Sequence, residues 1–144
     1  MYLDEVTVGM EIELPDVRID RERLTAFAQD YDPIPLHLDE TYAKSTRFGG
    51  LIAPGVMSFM SVWANFAEMD IFGEALIAGK STKIEWLKPV YPEDVLSGKC
   101  VISNVTRRNA YNGIAAISLD IYNQHGECVL TSVTESVVKY RPHP

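Results

Sequence analysis

The chain has 144 residues, 47% of them apolar, and its 13 Lys and Arg against 20 Asp and Glu give a formal net charge of −7. That length suits one domain, residues 1–144, able to bury a core without disulfide or metal staples. The acidic balance argues against nucleic-acid or anionic-membrane partners, which call for a basic face. Only Cys100 and Cys128 are present, and the first residues lack the basic-then-apolar order of a signal peptide, so a reduced, cytoplasmic protein is expected.

Leu24, Phe27, Ala28 and Tyr31 fall at i, i+3, i+4 and i+7, which predicts a helix over 20–31 capped by Asp20. That helix delivers Asp32 at its end. Pro33 and Pro35 disfavour helix in the following residues, so Asp32 and His37 are expected on a stiff, extended loop. An ionised carboxylate accepts a proton and an imidazole gives or takes one near neutral pH, so the two, aimed at one water, can work as general base and acid. Taken singly, Asp32 also reads as a helix-ending carboxylate and His37 as a hydrogen-bonded core histidine.

Asp39 is expected to cap a second short helix over 40–45, ahead of a turn at Gly49 and Gly50. The run 56–69 is apolar around most of a helical circumference, which predicts a helix covered by protein on nearly every side. Pro54, Gly55, Ser58, Ser61, Asn65 and Glu68 interrupt the stretch and argue against a membrane span. Strands are expected over 75–87, 95–105, 117–122 and 128–140, with turns at Asn112–Gly113 and His125–Gly126. A long buried helix followed by an antiparallel meander is an α+β arrangement. Three scattered histidines and two distant cysteines offer no metal site, and no glycine-rich dinucleotide loop is present, so neither metal nor cofactor is expected.

The order Asp32, His37, Leu38, Asp39, then Phe48 to Ala53 and Gly55, and later Trp86, Pro89, Val90, Asp94 and Val95, resembles the MaoC-like dehydratases, the (R)-specific enoyl-CoA hydratase family. The likeness spans most of the chain. It implies a hot-dog fold, an antiparallel sheet wrapped around a long central helix. It also implies a hydro-lyase of fatty acid metabolism, adding water to or removing it from a 2-enoyl-CoA or (3R)-hydroxyacyl-CoA thioester. Asp32 would be the base and His37 the proton donor, although the reverse assignment leaves the same net chemistry. The backbone N–H of Gly55 would hold the thioester oxygen, and Pro54, Val56, Phe48 and Met60 would contact substrate. A homodimer, or a dimer of dimers, with the site near its interface is implied as well.

Coenzyme A is anionic, and Lys44, Arg47, Lys80, Lys83, Lys88, Arg107 and Arg108 are the cations available to meet it. The chain departs from the family at Ile34, where many relatives carry Asn, at Pro54, where His or Ser is frequent, and at Met60, which replaces a serine five residues after the glycine. Two other readings remain at this stage. One is a thioesterase of the same fold, for which Glu68 is the only acid inside the long helix; the other is a protein that binds acyl thioesters without turning them over.

Overall fold

The computed structural model describes residues 1–143, so Pro144, the last residue of the expected 1–144 unit, lies outside the described residues. Its elements run β1 (Glu11–Glu13), β2 (Val17–Arg18), α1 (Arg21–Tyr31), α2 (Pro35–Leu38), α3 (Glu40–Ser45), α4 (Gly55–Met69), β3 (Leu76–Trp86), β4 (Val95–Arg107), β5 (Asn112–Tyr122) and β6 (Cys128–Lys139). The expected helices and the four long strands are present within a few residues of their predicted limits. The two short strands β1 and β2 carry too few residues for a period to show.

Asp20 caps α1 by accepting a hydrogen bond from the Arg23 amide at 3.0 Å. Asp39 caps α3 in the same way, from the Tyr42 amide. Between them the expectation of an extended stretch is corrected: Pro35 opens a single helical turn, α2, and His37 lies within it. Proline is tolerated at a first helical position because its missing N–H would have no partner there, and its fixed φ already suits a helix. Each proline still does what the sequence suggests to the residue before it, Pro33 keeping Asp32 and Pro35 keeping Ile34 out of helical conformation.

The six strands form an antiparallel sheet in the order β1-β4-β5-β6-β3, with β2 paired to the end of β4. Along β5, Ile117, Leu119 and Ile121 are fully buried and point to one face. Opposite them in register stand Ile102 and Cys100 on β4 and Thr134, Ser132 and Leu130 on β6. α4 lies across this face. Val62, fully buried, sits where a side chain on Gly98 of β4 would be, so the helix approaches the sheet through a β4 position that has no Cβ.

Two sequence expectations change here. Asn112 and Gly113 are not a turn: they open β5, paired with Lys139 and Val138, and the reversal is made one step earlier by Arg108–Tyr111. The side chain of Asn109 accepts from the Tyr111 and Asn112 amides and organises that reversal. The turn at His125–Gly126 stands as expected, with Gly126 at φ 75. α4 is also less enclosed than its composition implies, since Val56, Met60 and Met69 are each about half exposed. The exposed side of the helix and the ends of strand β3 are two places where apolar side chains remain uncovered.

Candidate active site

Asp32 is the residue that ends α1; its amide still bonds to the Ala28 carbonyl while its own backbone leaves the helix. Five residues later α2 turns the His37 ring back toward it. The imidazole is 5% exposed and fixed at both nitrogens: Nδ1 lies 2.6 Å from the Ile52 carbonyl oxygen and Nε2 lies 3.1 Å from Asp32 Oδ2. A carbonyl oxygen only accepts, so Nδ1 carries a hydrogen and donates it. Nε2 then faces the carboxylate at hydrogen-bond distance, a contact across which a proton can pass between nitrogen and oxygen. The second carboxylate oxygen is free to accept another, because the Asp32 side chain is nearly half exposed. A carboxylate and an imidazole in hydrogen-bond contact, one of them open to the cavity, are the groups that acid–base addition requires.

The segment after α3 closes over this pair and is anchored to the strand side of the molecule. The Ala53 amide bonds to the Val90 carbonyl at 2.7 Å, and the Tyr91 hydroxyl donates to the Phe48 carbonyl at 2.8 Å. Tyr91 is itself held by Asp94, whose buried carboxylate accepts from the Tyr91 amide and from the Gln124 side chain. The Trp86–Asp94 stretch singled out in the sequence thus serves as the wall and brace of the site.

Asp32 and His37 face a cavity of about 480 Å³ whose wall also includes Phe48, Gly55 and Val56. Five of the seven expected site residues are therefore brought together. The other two, Pro54 and Met60, line an adjoining apolar cavity of about 490 Å³ with Phe27 and Tyr31, and Asp32 and Val56 belong to both walls. Met60 does not reach the first cavity.

Gly55 is the first residue of α4, so its amide has no partner within the helix and sits at the positive end of the helix dipole. A Cβ at this position would overlap the Trp86 indole. The glycine is thus needed for the ring of Trp86 to close the cavity on that side, a role the sequence did not reveal. Arg47 and Lys88 also line the cavity, Arg47 stacked over the Phe48 ring at 5.0 Å and Lys88 paired with Glu127. They are the two of the seven candidate cations that stand at the site. The Lys88 pairing, together with Asn123, holds the Glu127 carboxyl below the usual carboxylate range.

Ser58, three residues along α4 from Gly55, completes the wall. It is 1% exposed, and its hydroxyl is a buried side-chain group without a hydrogen-bond partner among the described residues. A buried hydroxyl left unpaired costs about 1–3 kcal/mol. The sequence marked Ser58 as a polar interruption of the helix and as a serine near the Met60 position where relatives carry one; its burial and missing partner are visible in three dimensions alone. Glu68, the acid a thioesterase reading would use, is exposed near the far end of α4 and is not part of the cavity wall. Burial pushes the Cys100 thiol up to about 11, so no nucleophilic thiolate is offered there. Among the described residues no group of three or more His, Cys, Asp and Glu is placed to hold a metal ion, and no helix is long and apolar enough to cross a membrane.

Known proteins resemble this chain in sequence and in fold. The family model described as MaoC like domain matches residues 5–120. The uncharacterized protein YdeM of Bacillus subtilis (strain 168) is 32% identical over 126 residues, which cover 86% of this chain and 89% of that protein. Among solved structures, a MaoC-like dehydratase from Rhodospirillum rubrum superposes with a TM-score of 0.82 at 29% identity, covering 99% of both chains. An (R)-hydratase from A. caviae involved in PHA biosynthesis gives 0.75 at 24% identity, over 94% of this chain and 98% of that one, a likeness of fold. The sheet around α4 is the hot-dog arrangement.

Proposed function

Since the chain belongs to the MaoC-like domain family, we propose that it is a hydro-lyase that adds water to a 2-enoyl thioester of coenzyme A, or removes it from the (3R)-hydroxyacyl thioester. The observation that carries this reading is the Asp32–His37 pair, Oδ2 and Nε2 3.1 Å apart with the carboxylate nearly half exposed, on the wall of a cavity that Gly55, the first residue of α4, also lines.

In the hydration direction, the water oxygen attacks the β-carbon and its departing proton passes to Asp32. The π electrons move toward the thioester, and the oxygen that gains negative charge is met by the Gly55 N–H. His37 Nε2 delivers its proton to the α-carbon, which completes the 3-hydroxyacyl thioester. Transfer of the acquired proton from Asp32 to Nε2 across their hydrogen bond restores the starting pair, so no external acid or base is consumed. Arg47 and Lys88, at the cavity wall, are suited to the anionic part of coenzyme A, which the molecule's negative charge would otherwise disfavour.

The same reading assigns the protein to the cytoplasm and makes it a homodimer. Strand β3 ends the sheet with no neighbour on its outer side, and of its eleven residues all but Ile84 are exposed. Leu76, Ile77, Trp86 and the following Leu87 are each about half exposed. A long, exposed edge with apolar residues at both ends invites pairing with a second copy.

Incubation with crotonyl-CoA tests the proposal. Hydration removes the conjugated enoyl absorbance and releases no thiol. Release of free coenzyme A would indicate hydrolysis instead, and an unchanged spectrum with tight binding would indicate a binding protein without turnover.

A further inference from the structure

Ser58 has a hydroxyl that nothing among the described residues satisfies. A helical serine usually has a ready partner in the carbonyl of the preceding turn, and Ser61 takes it, donating to the Met57 carbonyl at 2.7 Å. Ser58 could have done the same with Pro54, whose carbonyl instead accepts only the Ser58 amide, at 3.2 Å. Its residue is 1% exposed, so bulk water does not serve it either. What remains within reach is the content of the cavity that it helps to enclose with Asp32, His37 and Gly55.

Side chains on a helix lean toward its N-terminus and cover the turn before their own Cα. Ser58 Oγ therefore leans toward the Gly55 end of α4, where the first amide of the helix is also unpaired. We infer that the Ser58 hydroxyl is a second donor to the thioester carbonyl oxygen, acting beside the Gly55 amide. This rests on the hydro-lyase reading for the identity of the ligand. A serine O–H donates one hydrogen and keeps its lone pairs, so the contact needs no proton transfer and leaves the Asp32–His37 exchange unchanged. As negative charge builds on the oxygen, the hydrogen bond strengthens, and the effect falls on turnover more than on binding.

The test compares the wild-type protein with Ser58→Ala in three measurements. With butyryl-CoA labelled with ¹³C at the carbonyl, which has no double bond to hydrate, difference infrared spectroscopy reads the hydrogen bonds on the bound carbonyl. The wild type should lower the band relative to free ligand, and Ser58→Ala should move it part of the way back. With crotonyl-CoA, Ser58→Ala should lower kcat by about 10²-fold, with a smaller change in KM. Without ligand, Ser58→Ala should melt no lower than the wild type, because the hydroxyl it removes has no partner in the fold.

An unchanged band together with unchanged kcat would overturn the inference. A ligand-free variant that melts well below the wild type would also overturn it, by showing an internal partner. A band that responds to Ser58→Ala in a protein that does not hydrate crotonyl-CoA would support the contact and sink the hydro-lyase reading. Failure of the wild type to bind butyryl-CoA would overturn both.

Discussion

His37 shows how much one buried ring can fix. The Ile52 carbonyl determines which nitrogen is always a donor, and that leaves Nε2 committed to Asp32. If this pair handles the protons, Asp32→Asn and His37→Gln should each lower kcat/KM for crotonyl-CoA hydration by about 10²- to 10⁴-fold. Circular dichroism should remain that of the wild type for Asp32→Asn, since Asp32 is a surface-facing helix end. A variant retaining most of its activity would remove that residue from the acid–base role. The two residues were legible in the sequence as residue types at a fixed spacing. Their orientation was not, because it depends on a backbone carbonyl fifteen residues away that carries no side-chain signal. Trp86 was hidden for a related reason: its contact with Gly55 joins two segments that only the fold brings together.

Among the elements, α4 and β4 are held at a close crossing. A Cβ on Gly98 would lie 2.7 Å from a Val62 methyl carbon and 3.0 Å from a Leu119 methyl carbon, both on fully buried side chains. Gly98→Val should therefore destabilise the protein by about 1–3 kcal/mol, the usual cost of overpacking, even though valine favours strands. Urea denaturation would measure it, and an unchanged midpoint would mean that the helix can slide. The period-2 run of β5 and the apolar α4 were readable because they are long enough for periodicity to dominate. Asn112–Gly113 was misleading because asparagine followed by glycine favours a turn locally, while pairing of both residues with β6, and of Gly113 with β4 as well, draws them into a central strand. α2 was missed because a proline that forbids helix before it also starts one well.

Across the whole molecule, open apolar side chains include those at the ends of β3 and on the outer side of α4. Apolar content is visible in a sequence, but which strand ends without a neighbour is a property of topology. If β3 pairs with a second copy, sedimentation should give the mass of a dimer, 2 × 16.1 kDa for this chain. Ile77→Lys, placed on that half-exposed edge, should shift the equilibrium toward monomer by adding a charge that must be desolvated on pairing. A wild-type protein that sediments as a monomer at high micromolar concentration would refute the pairing.

Asp32 and Val56 form a partition shared by two open chambers, one holding His37 and Gly55, the other greasy and bounded by Phe27, Pro54 and Met60. A carboxylate in such a party wall can exchange protons with solvent on one side while a ligand fills the other. Traffic of water and traffic of a bulky guest then need not share a single doorway.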